Sequence, residues 1–502
     1  MHVMATPLDF LRRAETIYRD RTAVIDGDRS FTYAEFADRC RRAGGVLEER
    51  GIRPGDRVAT LTPNSVMMLE AHYAVPGIGA VLVPLNHRLT PGEIRTLLEH
   101  AGVSLVLFDD AFKDVAMHLG VDAISAAEYE RAIAGASPTM REVADEHDLL
   151  SINYTSGTTG RPKGVMYDHR GAYLQSLAMV AHSRLGVGDR FLWTLPMFHC
   201  NGWTYTWAVT AAGATHVCLD AVVPARIWRL VEDLGITHLN AAPTVLVMLA
   251  NHADAKPVPS QHPLRVATGG APPSPTLLSQ LAQLNFDVTH LYGLTETYGP
   301  AAVCDWHPEW SRLPIADQAR LKARQGNVNI LAGQARVVAP DGVDVAADGR
   351  TVGEVCLRGN NVMRGYFRDP AATRDAIRDG WFYSGDLAVM HPDGYIELRD
   401  RSKDIIISGG ENIASIEVEQ ALAAHPDVLE VAVVAMSHDR WGEVPAAFVV
   451  TRDNARLDEA SLVEFARGSV AGFKVPKKIV LVDELPKTAT GKVQKFVLRE
   501  QL

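Results

Sequence analysis

Between residues 22 and 108, short apolar runs alternate with longer stretches whose apolar residues recur every three or four positions. The first pattern predicts strands and the second amphipathic helices. Residues 22–26 predict a strand. Thr32-Tyr33-Ala34-Glu35 fits a capping box, so a helix is predicted from there to about Glu49. Residues 56–61 predict the next strand, Asn64 and Ser65 the cap of a helix ending near Gly77 and Gly79, and residues 80–84 a buried strand. Thr90-Pro91-Gly92-Glu93 repeats the capping box with proline at the first helical position, and residues 103–108 predict a strand again. Such alternation implies a parallel or mixed sheet covered on both faces.

Residues 111–148 are less regular and are expected to link two lobes. Further strands are predicted at 149–154, 191–196, 264–268 and 288–291, and several run into polar, Gly-rich loops. Ligands collect at such strand ends in open α/β sheets. From Gly333 the pattern changes to short strands and turns. Beyond the charged break Asp400-Arg401-Ser402-Lys403-Asp404 it becomes a compact α/β tail with helices at 416–424 and 459–468. The expected fold is α/β: a large N-terminal domain (1–402) of stacked mixed β-sheets with helices, including a β-rich subdomain (333–400), and a small mobile C-terminal α/β domain (403–502).

A chain of 502 residues is too long for one ordinary core, which agrees with that division. A formal net charge of -10 argues against a nucleic-acid partner. The cysteines, Cys40, Cys200, Cys218, Cys304 and Cys356, are scattered and lack metal-ligand spacing, which suits inert thiols in a reducing compartment. No apolar stretch approaches the ~18 residues of a membrane span. A cytoplasmic enzyme is expected.

The chemistry starts at Thr155-Ser156-Gly157-Thr158-Thr159-Gly160-Arg161-Pro162-Lys163-Gly164. Successive backbone N–H groups in a glycine-rich loop form an anion cradle, and the hydroxyls and Lys163 add donors and charge. Pro162 and Gly164 around the lysine exclude a Walker A loop. Five more signatures follow: Gly269-Gly270-Ala271-Pro272, Tyr292-Gly293-Leu294-Thr295-Glu296, Tyr383-Ser384-Gly385-Asp386, the 400–404 break, and Pro486-Lys487-Thr488-Ala489-Thr490-Gly491-Lys492. In this order the set resembles the adenylate-forming superfamily, over nearly the whole chain. Its members include acyl-CoA synthetases, non-ribosomal adenylation domains and luciferase-like enzymes.

Bringing a carboxylate against the α-phosphate of ATP joins two anions, so the site must supply positive charge and donors. Thr155, Ser156, Gly157, Thr158, Thr159 and Lys163 suit the β- and γ-phosphates. Tyr292, with Gly293 beside it, offers adenine a flat face, and Gly270, Ala271 and Pro272 a wall. Thr295 is suited to the α-phosphate, Glu296 to Mg²⁺, and Asp386 with Arg401 to the ribose. The resemblance implies that Lys492 swings in to bridge carboxylate and α-phosphate. It also implies that Lys403 is the hinge and that Gly409, Gly410 and Glu411 line a pantetheine tunnel. Trp441, Phe473 and Lys474 are expected contacts for coenzyme A.

The acid pocket is expected near His199, Trp203, Trp207, Asn240, Gly269 and Pro300, with His199 as a gate beside the thiol path. Amino-acid adenylation domains place an aspartate at the position of His199, so an α-amino acid is disfavoured. The segments 196–203 and 292–300 look closest to short- and medium-chain acyl-CoA ligases and methylmercaptopropionate–CoA ligases, and two large indoles would shorten the pocket. The expected reaction is ATP- and Mg²⁺-dependent ligation of a short- or medium-chain or small aromatic acid to coenzyme A, in fatty acid metabolism, by a homodimer. The rivals are an adenylating enzyme that serves a carrier protein or non-thiol acceptor, and a non-catalytic nucleotide-binding regulator.

Overall fold

A computed structural model of the chain describes residues 3–155, 162–259, 261–270, 273–401, 403–409, 411–452, 457–488 and 491–502. Two mixed sheets form the larger part. In the six-stranded sheet the order is Asp122–Ser125, Val103–Phe108, Arg57–Leu61, Val81–Pro84, Leu149–Thr155 and Lys163–Asp168, all parallel except for the last hairpin. The nine-stranded sheet has Arg190–Leu192, His238–Ala241, Leu264–Thr268 and Phe286–Leu294 as parallel neighbours at its centre. One core joins the sheets, drawing Val24 and Phe191 from one and Leu150, Val165 and Tyr167 from the other.

The local signals act as their chemistry dictates. Thr32 and Thr90 each close a full capping box, opening the helices Tyr33–Glu49 and Pro91–Ala101. Such a cap is worth about 1 kcal/mol. Ser65 caps Val66–Gly77. Asn64 does not share that work. It reaches across to donate to the carbonyls of Trp193 and Leu195 and accepts from Met197 N, clamping the segment that leads into the site.

Two expectations need correction. Residues 111–148 are not a bare link, because Asp122–Ser125 adds an edge strand parallel to Val103–Phe108 and Ser125 caps a helix over Ala126–Gly135. The strand expected at 191–196 ends at Leu192, after which Thr194 turns its hydroxyl to the Asn240 carbonyl.

A five-stranded sheet follows, in which Gln334–Val338, Val352–Arg358, Trp381–Met390 and Ile396–Arg401 are antiparallel neighbours. Last comes a small α/β unit. Its sheet is built on the long hairpin of Val428–His438 and Gly442–Thr451, with the helices Ser415–Ala423 and Glu459–Arg467. Among the described residues no helix is long and apolar enough to cross a membrane.

Candidate active site

The hydroxyl-rich loop hangs on a hairpin, with Thr155 directly opposite Lys163. Ser156, Gly157, Thr158 and Thr159 lie outside the described residues, as do Ala271, Pro272 and Gly410. The Lys163 ammonium stands 4.7 Å from the ring centroid of Tyr366, whose hydroxyl donates to Glu296 Oε1 at 2.8 Å. Segment 363–367 is laced to the hairpin, Phe367 N donating to Gly164 O and Met166 N to Gly365 O. One tyrosine thus links the lysine of the loop to the carboxylate expected to hold Mg²⁺. Sequence reasoning passed over Tyr366, since a tyrosine between Gly365 and Phe367 looks like any core aromatic.

Antiparallel register sets Asp386 opposite Arg401. Their side chains meet at 3.4 Å, and the Tyr292 hydroxyl donates to Asp386 Oδ2 at 2.8 Å. Burial, reinforced by the adjacent carboxylate, pushes the Tyr292 phenol well up, so it remains a donor. Gly293 packs directly on the Gly299 carbonyl, and Thr295 holds the Tyr167 hydroxyl through its own carbonyl at 2.6 Å.

Lys492 arrives from the C-terminal unit, beside a hairpin pairing of Lys487 with Val493. Its Nζ pKa is lowered by burial first and by Arg401 second, while Asp386, Cys200 and Glu296 pull it back up. The lysine therefore lies among the residues named for nucleotide and metal. A Cβ on Gly270 would sit 3.4 Å from Lys492 Cε, and one on Gly491 would strike Thr244 Oγ1 at 2.6 Å. Gly491 also has φ +82, so both space and backbone require glycine there.

His199 and Trp203 are presented by an unusual backbone. Residues 200–204 all lie in the left-handed region, with φ of 47, 45, 59, 54 and 66°. Only Gly202 escapes a cost of roughly 1–2 kcal/mol per L-residue. A buried network holds the turn from behind: Asn201 Oδ1 accepts from Ser151 Oγ at 2.8 Å and from Asn153 Nδ2 at 2.6 Å. Asn201 Nδ2 donates to His72 Nε2 at 3.0 Å, and His72 Nδ1 donates to the Met68 carbonyl at 2.7 Å. Neither the turn nor its network had a signal in the expected elements.

Of the two indoles, Trp203 faces Gly269 and Gly299; a Cβ on Gly269 would lie 3.2 Å from its ring and 2.7 Å from the Leu291 carbonyl. Trp207 belongs to the core, a correction to the pocket set. Its indole donates to the His72 carbonyl at 3.3 Å and stands edge-on to the His72 ring. The left-handed turn separates the two, so they do not share a helix face. Pro300 is buried, its carbonyl accepting from Gln175 and Asn329. Asn240 lines a small cavity of about 70 Å³ with Ala267 and Leu291. Burial, with help from Lys492, drives the His199 imidazole down to about 3, so it is neutral at physiological pH.

The residues expected to meet coenzyme A lie on the C-terminal unit. Gly409 N donates to the Trp441 carbonyl at 2.7 Å, and a Cβ there would strike the indole at 2.8 Å. Trp441, Phe473 and Glu411 are exposed. Lys474 is tied to Glu417 at 2.7 Å, so in this arrangement its charge is already engaged. Lys403 is exposed at the break.

Residues 11–367 match the family model for AMP-binding enzymes, and residues 417–492 that for the AMP-binding enzyme C-terminal domain. An acetate–CoA ligase of Humulus lupulus is 42% identical, over 98% of this chain and 94% of its own. A peroxisomal benzoate–CoA ligase of Arabidopsis thaliana is 40% identical, over 99% and 93%. The structure of ATP-bound MatB from Rhodopseudomonas palustris agrees with a TM-score of 0.88 at 30% identity, covering 98% of both chains. The chain belongs to the AMP-binding enzymes and is, among them, an acyl-CoA synthetase.

Proposed function

We propose that the enzyme activates a short- or medium-chain or small aromatic acid as its adenylate and transfers the acyl group to coenzyme A, releasing pyrophosphate and AMP. The observation that carries this reading is the seating of Lys492 against Gly270, within electrostatic reach of Asp386, Arg401 and Glu296. A carboxylate oxygen attacks the α-phosphorus, and the bond to pyrophosphate breaks. Lys492 offsets the charge gathered on carboxylate and α-phosphate, where low dielectric strengthens it. Thr295 donates to the α-phosphate. Thr155, Lys163 and the hydroxyls between them grip the departing pyrophosphate. Asp386 and Arg401 hold the ribose and Tyr292 the adenine.

Mg²⁺ fits Glu296. One carboxylate beside phosphate oxygens is the usual donor set for this ion. Among the described residues no cluster of three or more ligating side chains offers a separate metal cage. When bound there with the nucleotide, the ion would neutralise phosphate charge.

In the second step the thiol of coenzyme A attacks the acyl carbonyl, and the bond to AMP breaks. Neutral His199 lines that path without competing with Lys492 for the carboxylate. Gly409, Gly410, Glu411, Trp441 and Phe473 would receive the pantetheine and nucleotide, with Lys403 as the hinge between steps. Trp203 against Gly269 shortens the acid pocket, in keeping with relatives named for acetate and benzoate. We place the enzyme in the cytoplasm as a homodimer, the five buried thiols suiting a reducing compartment. The decisive experiment follows pyrophosphate release over a panel from acetate to octanoate and benzoate, with and without coenzyme A. Thioester missing from every acid that releases pyrophosphate contradicts the proposal.

A further inference from the structure

Strand Ile396–Arg401 leads into the hinge, and its penultimate residue, Asp400, is only 3% exposed. Its Oδ1 accepts from Arg401 N at 2.8 Å and its Oδ2 from Ser415 N at 2.6 Å. Ser415 opens the helix Ser415–Ala423 on the far side of the hinge, where the N-cap residue is Ala414 and no local side chain caps the helix. Asp400 thus supplies from outside the anionic cap that the helix's own sequence lacks.

The contact continues toward the reaction centre. The Ser415 hydroxyl meets Lys495 Nζ at 2.5 Å, and Lys495 pairs with Glu419 of the same helix at 2.7 Å. Lys495 stands three residues after Lys492. A second pair, Asp404 with Arg499 at 2.5 Å, ties the start of the C-terminal unit to the same short helix, Lys495–Arg499. Hydrogen bonds therefore run without a gap from the strand that carries Arg401 to the segment that carries Lys492.

We propose that Asp400 is a positioning residue for adenylation: through Ser415 and Lys495 it fixes the C-terminal unit in the orientation that seats Lys492 against Gly270, Asp386 and Arg401. This rests on the two-step reading above. Both Asp400 oxygens are committed to backbone N–H groups, so it acts through Lys492 and not on the substrate. On that reading Lys492 acts in the first step, so the contact serves adenylation.

The test separates the steps in the full-length enzyme, with an acid that the wild type adenylates. Adenylation is read as pyrophosphate release with a hydroxylamine trap and no coenzyme A. Thioesterification is read from synthetic acyl-adenylate plus coenzyme A. Asp400→Ala is expected to lower the first by about tenfold, the effect of losing one charge-assisted hydrogen bond, and to keep the second within about twofold. Asp400→Asn retains one acceptor for Ser415 N and should recover much of the loss. Lys495→Met should repeat the split, and it decides the matter if Asp400→Ala does not fold. Equal loss of both steps, or adenylation unchanged in these variants, overturns the proposal. A wild type that releases no pyrophosphate with any acid overturns the proposed function instead, a distinct result.

Discussion

The Tyr292 hydroxyl donates to Asp386 Oδ2 at 2.8 Å, on the carboxylate that also faces Arg401. In the proposed function the tyrosine therefore serves twice, offering its ring to adenine and orienting the carboxylate assigned to the ribose. Tyr292→Phe keeps the ring and removes the donor. A hydrogen bond to a charged group is worth about 1.5–3 kcal/mol, so KM for ATP should rise about tenfold with less change in kcat. An unchanged KM would show that Asp386 needs no such support.

Lys492→Ala should abolish adenylation while thioester formation from supplied acyl-adenylate survives. The lysine lies within electrostatic reach of Arg401 and Asp386 in this arrangement, where the proposed function has charge build up during attack on the α-phosphate. Both steps lost together would contradict its assignment to the first.

In the proposed function Trp203 sets the depth of the acid pocket. Trp203→Ala should lower kcat/KM for acetate and raise it for hexanoate or octanoate, because the indole lies against Gly269 where a longer chain would run. One buried methylene is worth about 0.8 kcal/mol, so the change in preference should grow several-fold with each added carbon. Trp207→Phe should leave the acid profile unmoved and cost stability only, since its indole is held by the core.

Buried imidazoles give the fold an acid limit. Burial lowers His72, His169 and His290 to about 4, and His199 and His216 to about 3. In the unfolded chain each takes up its proton near 6.5. The unfolded state therefore binds more protons below that pH. Stability is full above it and falls as the pH drops toward 4, each group contributing up to about 1.4 kcal/mol per pH unit. The urea midpoint should decline from pH 7 to pH 5, and less steeply in His216→Phe. A flat midpoint over that range would show that these rings are protonated in the fold.

What could be read beforehand was local. Thr32 with Glu35 and Thr90 with Glu93 closed their capping boxes because each motif carries its whole geometry within four residues. Asp386 and Arg401 were both named for the ribose from their motifs, and the antiparallel register of their strands adds that the two side chains meet. Asn201 was different. Its partners are Asn153, Ser151 and His72, far away in sequence, and they hold a left-handed backbone that no propensity favours. Tyr366 went unnoticed for the same reason, since its role lies in what Lys163 and Glu296 bring to it. The two indoles were expected to shorten the pocket together; both are buried in one core, where Trp203 faces Gly269 and Gly299 and Trp207 is held by the His72 carbonyl.

All five cysteines are buried and free, and burial raises every thiol above its ordinary range. None offers a ready thiolate to a maleimide. Two exposed positions, Met117 in the N-terminal part and Phe496 beside the catalytic lysine's hairpin, are 67% and 57% exposed. A Met117→Cys/Phe496→Cys pair would carry the only reactive thiols. A donor and acceptor dye placed there would test, by energy transfer in the otherwise native protein, the proposed change of seat of the C-terminal unit between the two steps.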